Sequence, residues 1–153
     1  MPAISSGLLM YRRQARDWEF FLVHPGGPYF RNKDAGSWSI PKGLIDGEEQ
    51  LLNAAIREFQ EETGILPHPP FQELGSVKQK GGKRVHAWAF QGEWDPSQGL
   101  QSNTFELEWP PRSGNRQEFP EIDRAGWFRP EQAEVKILEA QIPFLQRALE
   151  LLL

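Results

Sequence analysis

The chain predicts an α/β (α+β) fold, a mixed β-sheet held between helices, and three observations carry that reading. Segments with strand character and segments with helical spacing are interleaved along the chain instead of falling into separate halves. Strand segments come in pairs around short turns, at Arg16-Asp17 and at Gly81-Gly82. From Glu48 to Thr63, Leu52, Ala55, Ile56 and Phe59 recur at helical spacing, so one face of this helix docks on a core. At 153 residues, a single domain over 1–153 is long enough to bury that core without staples.

Taken in order, Ala3 to Tyr11 mixes small and apolar residues and reads as a strand, and Glu19 to His24, rich in Phe and Val, as its hairpin partner. Pro25 to Gly36 carries too many glycines and prolines for regular structure and reads as a loop, of a length that is often functional. Trp38 to Pro41 reads as a short strand and Lys42-Gly43 as a turn. Asp46-Gly47-Glu48-Glu49 supplies turn chemistry and early acid, which starts the helix near Glu48. Gly64 ends it as a left-handed residue after Thr63, and Pro67, Pro69 and Pro70 prevent continuation.

Phe71 to Lys80 and Lys83 to Trp94 read as two strands. In the second, Arg84, His86, Trp88 and Phe90 share one face and Val85, Ala87 and Ala89 the other. Asp95 to Ser102 is a loop, Asn103 to Trp109 a further strand, and Pro110 to Pro120 a second long polar loop. Arg124 to Phe128 is a short strand. Pro130 suits the first position of a helix over Glu131 to Leu138, and Gln141 to Leu153 forms the last helix, entered at Pro143.

Composition narrows the function. Hydrophobic content of 39% and charged content of 25% are ordinary for a globular chain. A net charge of −4 argues against a duplex nucleic-acid binder, which works by neutralising many phosphates, but leaves open small phosphorylated ligands whose charge a metal offsets. There are no cysteines, which excludes disulfides, thiolate nucleophiles and cysteine-ligated metal, and fits a cytoplasmic location. No apolar run approaches 18 residues and no leader pattern opens the chain, so neither membrane insertion nor export is expected. His24, His68 and His86 are too scattered for a zinc site. Most of the six tryptophans and ten phenylalanines are expected to fill the core.

The chemistry concentrates in Arg57-Glu58-Phe59-Gln60-Glu61-Glu62-Thr63-Gly64. On a helix, Glu58, Glu61 and Glu62 stand at i, i+3 and i+4 and share one face. Like charges at that spacing, two of them at the helix C-terminus, are unfavourable by a few tenths of a kcal/mol each. A hard divalent cation such as Mg²⁺ would offset them, since it takes oxygen ligands and bridges carboxylates to phosphates.

Gly43, then Glu49, Arg57-Glu58-Phe59, Glu61-Glu62 and Gly64-Ile65 at their spacings resemble the Nudix box at every specified position, and the strands before and after fall in the order of a Nudix domain. The resemblance implies an α/β/α sandwich around a mixed sheet, and hydrolysis of a pyrophosphate bridge in a nucleoside diphosphate-linked compound. It implies that Glu58, Glu61 and Glu62 bind Mg²⁺, with Mn²⁺ as a possible substitute, aided by the Lys42 carbonyl. Arg57 matches the arginine that orients a catalytic glutamate, and Glu49 the acid that supports it. The general base is left between Glu58 and Glu62, with the loop acids Glu118 and Glu121 as rivals. Glu121, six residues before Trp127, has the better spacing for an extra metal ligand.

Pro41-Lys42-Gly43 resembles the segment before the box in Nudix enzymes that cleave dinucleoside polyphosphates, and Lys83-Arg84-Val85-His86 resembles a basic segment of the same group. Lys42, Lys83, Arg84 and His86 are therefore candidate substrate contacts. Tyr29, with Phe30, Trp38 and Trp88 beside it, is a candidate for stacking a base. The loops 25–37 and 110–121 do not map onto that group. The favoured substrate is a dinucleoside polyphosphate. A nucleoside triphosphate pyrophosphohydrolase is the alternative, and a nucleotide-binding regulator without catalysis the reading from another class.

Overall fold

The computed structural model describes residues 3–153. Five strands lie in the order β4 (Gln72–Lys78), β5 (Arg84–Gln91), β1 (Ile4–Gln14), β2 (Asp17–Pro25), β8 (Ile122–Phe128), and a sixth, β3 (Lys42–Leu44), pairs with β1. The sheet is mixed, because β1 runs parallel to β5 and antiparallel to β2 and β3. Residues Ser5 to Tyr11 of β1 are all buried, which is why this strand reads as a continuous run instead of an alternation: a central strand is covered on both faces.

Helices cover the two faces. On one side α1 (Leu51–Thr63) packs Ala55 and Phe59 onto Leu8, Met10, Phe21, Val23 and Phe90. On the other, α2 (Pro130–Lys136) and α3 (Ile142–Leu152) join Ala133, Phe144, Leu145 and Ala148 to Leu9, Phe20, Leu22, Val85 and Ala87. The predicted α/β/α layering and the two-faced reading of β5 are both present. None of the described helices is long and apolar enough to cross a membrane.

The sheet forks, and the fork makes room for a site. Tyr11–Gln14 of β1 pair with β2, but Ser5–Gly7 pair with β3 instead. Beyond Phe20, β2 turns to β8 and touches the segment before β3 through a single bridge, Val23 to Ser39. The space between β3 and the β2–β8 pair opens toward the C-terminal half of α1.

Several boundaries differ from the sequence reading. Helix α1 begins at Leu51, not Glu48. The Glu49 amide bonds the Asp46 carbonyl at 3.1 Å and its carboxylate accepts from the Asp46 amide at 3.1 Å, so 46–49 closes as a turn. The end is where it was expected: Gly64 has φ +77° and its amide bonds the Gln60 carbonyl. Trp38 to Pro41 makes only isolated bridges, and the strand lies one step later, at Lys42–Leu44. Gly81-Gly82 sits in a 3₁₀ turn over Lys80–Gly82, wider than a two-residue hairpin. The polar stretch 110–120 is half strand: β7 (Arg116–Pro120) pairs with β6 (Thr104–Glu108) in a separate two-stranded ribbon.

Candidate active site

Four glutamates, Glu58, Glu61, Glu62 and Glu121, line one cleft of about 360 Å³ with Lys42, Gly43, Leu44 and Asn103. The first three come from α1, as the helical spacing requires. Glu121 comes from 59 residues beyond Glu62 in sequence and is fixed by its backbone, its amide bonding the Asn103 carbonyl and its own carbonyl accepting from the Gly26 amide, each at 2.8 Å.

Arg57 organises the acids. Its Nε and Nη2 donate to the two oxygens of Glu49 at 2.8 and 2.9 Å, Nη1 donates to Glu58 Oε1 at 2.8 Å and Glu61 Oε2 at 3.1 Å, and Nη2 also reaches the Leu44 carbonyl at 3.2 Å. A planar guanidinium with five donors can hold this many acceptors; an ammonium cannot. The bond to Arg57, then that to the Asp46 amide, holds the Glu49 carboxyl below its ordinary range. The same pairing raises Arg57 above its own.

Glu62 has no such cation. It is 8% exposed, and its Oε2 accepts from the Lys42 amide at 3.2 Å. Burial pushes its carboxyl up to about 8, and the neighbouring charge of Glu58 pushes the same way. Burial also raises Glu58, against the pull of Arg57. Lys42 faces these acids; burial draws its ammonium below the ordinary value, Glu62 opposes that, and Lys83 is near enough for its charge to add to the lowering. A Cβ on Gly43 would stand 2.1 Å from the Glu58 carboxylate. Only glycine lets the acid lie against this backbone.

The helix end is unfavourable for carboxylates, yet the loop before β6 compensates it. The Gln101 amide bonds the Thr63 carbonyl and the Asn103 amide bonds the Glu61 carbonyl, each at 3.2 Å. Both satisfy orphan carbonyls of the last turn.

A second pocket of about 250 Å³ opens from the cleft and shares Lys42, Glu62 and Glu121 with it. Its wall is mostly apolar, Val23, Pro25, Phe30, Ile40, Ile122 and Leu138, with Ser37 and Ser39 as polar points. Such a lining suits a flat, weakly polar group.

The other candidates lie elsewhere. Lys83 approaches Lys42 but lines neither space; Arg84 is exposed and bonds Ser76 Oγ at 3.3 Å; His86 is half-buried on β5. Tyr29 points outward and packs edge-on against Trp109. Trp38 is core, its indole N–H bonded to Asp34 Oδ1 at 2.8 Å, and Trp88 packs beside α1. Glu118 accepts from Thr104 Oγ1 on the ribbon, away from the cleft. Two features have no local signal in the sequence: Asn103 as a cleft residue, and His24, fully buried with Nδ1 against Asp123 Oδ1 and Nε2 against the Lys33 carbonyl, both at 2.7 Å.

The donor set fits a hard divalent cation. All four acids are oxygen donors, two are raised by burial beside one another, and positive charge would relieve both. Arg57 takes one oxygen each of Glu58 and Glu61, and among the described residues no three His, Asp or Glu side chains already close on one point. A bound cation would draw on Glu62, Glu121 and the second oxygens of Glu58 and Glu61.

Comparison with known proteins bears on the family and the fold. The family described as NUDIX domain matches residues 1–148. An RNA pyrophosphohydrolase of Rhizobium meliloti (strain 1021) is 30% identical over 159 residues, 94% of this chain and 86% of that protein. Nucleoside diphosphate-linked moiety X motif 6 of Xenopus laevis is 44% identical over 50 residues, 33% of this chain, and that match spans only 22% of the Xenopus protein. Among solved structures, a C. elegans Ap4A hydrolase binary complex superposes with a TM-score of 0.66 at 24% identity, covering 98% of this chain and 97% of that one.

Proposed function

This chain belongs to the NUDIX domain family, and we propose that it hydrolyses the pyrophosphate or polyphosphate bridge of a nucleotide, with a dinucleoside polyphosphate as the favoured substrate and Mg²⁺ as the cofactor. The observation that carries the reading is the convergence of Glu58, Glu61, Glu62 and Glu121 on one cleft beside Lys42. The names of the Rhizobium and C. elegans proteins support the same bond class, the second through the fold alone.

Water attacks a phosphorus of the bridge, the P–O bond to the leaving phosphate breaks, and each fragment keeps its nucleoside or phosphate end. A divalent cation held by Glu58, Glu61, Glu62 and Glu121 would supply polarisation of the bridge and a lowered pKa of water. Glu62 or Glu58 accepts the proton that water loses. Arg57 keeps Glu58 aimed at the cleft, and Lys42 meets the phosphate chain as a point charge, with Lys83 behind it. The apolar pocket beside Phe30 receives the nearer nucleoside. The substrate is a small-molecule nucleotide, met in the cytoplasm.

The test is a panel of nucleoside triphosphates, dinucleoside polyphosphates, ADP-ribose and capped RNA, assayed with Mg²⁺ and with Mn²⁺. Turnover of a two-nucleoside substrate supports the reading, and turnover of none overturns it. Glu58→Gln lowers kcat by roughly 10²-fold or more with the fold retained, as expected when an acid is removed from a metal and proton-transfer site; an unchanged kcat refutes the role. The alternative is a triphosphate pyrophosphohydrolase, which needs only the one nucleoside pocket that opens from the cleft. Release of pyrophosphate from triphosphates with dinucleosides untouched would select it. A non-catalytic nucleotide-binding regulator would turn over nothing, and the intact box acids argue against it.

A further inference from the structure

The β6–β7 ribbon has a job that the acid cleft does not explain. Both of its legs are rooted in the cleft: Asn103 precedes β6, Glu121 follows β7, and both line it. From that root the ribbon runs outward through five paired positions, Thr104 with Pro120 to Glu108 with Arg116, a reach of about 17 Å at ~3.4 Å per residue. At its far end Trp109 meets Tyr29 of the 25–37 loop edge to face, ring centroids 5.3 Å apart, with Tyr29 57% exposed. Neither ring belongs to either core cluster.

Tyr29 and Phe30 are adjacent in sequence but serve different spaces. Phe30 lines the pocket that opens on Glu62 and Glu121, whereas Tyr29 stands on the ribbon tip. Two aromatic surfaces therefore lie at two distances from the same acids, one beside them and one at the end of the ribbon. Charge narrows what the outer one takes. Between 104 and 120 the chain has Glu106, Glu108 and Glu118 against Arg112 and Arg116, and Arg116 is paired with Glu106 at 3.3 Å. This ribbon offers no cationic track for a nucleic-acid strand. The half-buried Trp109 at its tip, with the exposed Tyr29 against it, suits an uncharged planar group.

We infer that Trp109, held by the perpendicular ring of Tyr29, forms a stacking platform for the second base of a dinucleoside polyphosphate whose first nucleoside sits beside Phe30. This rests on the nucleotide reading above and adds to it the residues that select two nucleosides over one. A triphosphate carries one base and leaves the platform unused. A dinucleoside polyphosphate spans both surfaces, with its phosphates over the acids and Lys42.

The experiment compares a dinucleoside tetraphosphate with the triphosphate of the same base, both with Mg²⁺, on the full chain and on Trp109→Ala, Trp109→Phe and Tyr29→Ala. Trp109→Ala raises KM for the dinucleoside roughly 5- to 100-fold, the range of a lost base stack, with kcat unchanged and both constants for the triphosphate unchanged. Trp109→Phe keeps most of the wild-type KM, and Tyr29→Ala shifts it in the same direction as Trp109→Ala. A brace between loop and ribbon would move both substrates together, so an equal shift overturns the platform. No shift, or a loss confined to a 5′-triphosphorylated oligonucleotide, overturns it as well. If the unaltered chain hydrolyses none of these compounds, the functional reading fails on its own. Calorimetric titration of the same two nucleotides then decides the platform: tighter binding of the dinucleoside, erased by Trp109→Ala, sustains it, and equal affinities for the two reject it.

Discussion

Around helix α1, three of the four cleft carboxylates and Arg57 are bound within a short stretch of chain, whereas the β6–β7 ribbon, which ends on the fourth, meets the rest of the described fold at its roots and along one aromatic edge. Glu49, Glu58 and Glu61 share Arg57, and Glu62 takes the Lys42 amide. The ribbon's Phe105 rests on Gly27, where a Cβ would come within 2.9 Å of the ring, and Tyr29 rests on Trp109. The difference divides labour. Three of the four cleft acids stand on a packed helix, and under the proposed function the choice among nucleotides would fall to the ribbon and the 25–37 loop.

That division predicts where stability is sacrificed. Glu62 is the cleft acid that burial raises to about 8, from an ordinary 4.5. Between those values the folded, metal-free protein holds a proton that the unfolded chain has lost. Stability from this group is therefore fully present below pH 4.5 and falls as pH rises toward 8, by about 1.4 kcal/mol per pH unit and a few kcal/mol in all. Denaturant melts of the metal-free chain from pH 5 to 8 should show this decline, Glu62→Gln should flatten it, and saturating Mg²⁺ should remove it by favouring the ionised form. A metal-free chain that gains stability over this range would show that Glu62 is not buried as an acid.

Smaller, and confined to the box, is the effect of Gly43→Ala. The new methyl would meet the Glu58 carboxylate at 2.1 Å, and the acid must leave its place against β3 and loosen its bond to Arg57. A displaced ligand or its support typically costs 10- to 100-fold in metal affinity or activity. We expect that loss in kcat/KM for triphosphate and dinucleoside alike, with an unchanged melting temperature. A loss for the dinucleoside alone would break the separation between the two regions.

How much of this could be read from the chain follows the same line. Arg57 and its three acidic partners lie within 13 residues, so helical spacing was enough to put Glu58, Glu61 and Glu62 on one face. Gly64 could be recognised because a helix end needs a left-handed residue. What escaped was non-local. Strand β3 is three residues long and exists through its pairing with Ser5–Gly7. Strand β7 begins Arg-Gln-Glu and is exposed for most of its length, so no alternation announces it. The spacing of Glu121 from Trp127 marked it as a candidate, but the bonds that hold it there run to Asn103 and Gly26. His24 is set by Asp123, 99 residues away, and nothing near it in sequence gives that partner.

The smallest effect is that of Phe105 in the ribbon, and Phe59 in the helix sets the scale for it. Phe59 is fully buried on α1 against Phe21 and Phe90, and Phe59→Ala should cost the ~3–5 kcal/mol of a large core truncation. Phe105 is only partly buried, between Gly27 and Phe119. Its replacement by alanine removes one edge of the ribbon's seat and leaves both cores intact, so global stability should fall by no more than about 1 kcal/mol. The local consequence should exceed the global one. Amide exchange in residues 26–36 and 104–120 should speed up in Phe105→Ala while that of α1 stays as it was, because the ribbon opens without the helix. Uniform acceleration across both would mean that ribbon and helix unfold as one unit, and the acid cleft on α1 would then depend on the ribbon for its stability.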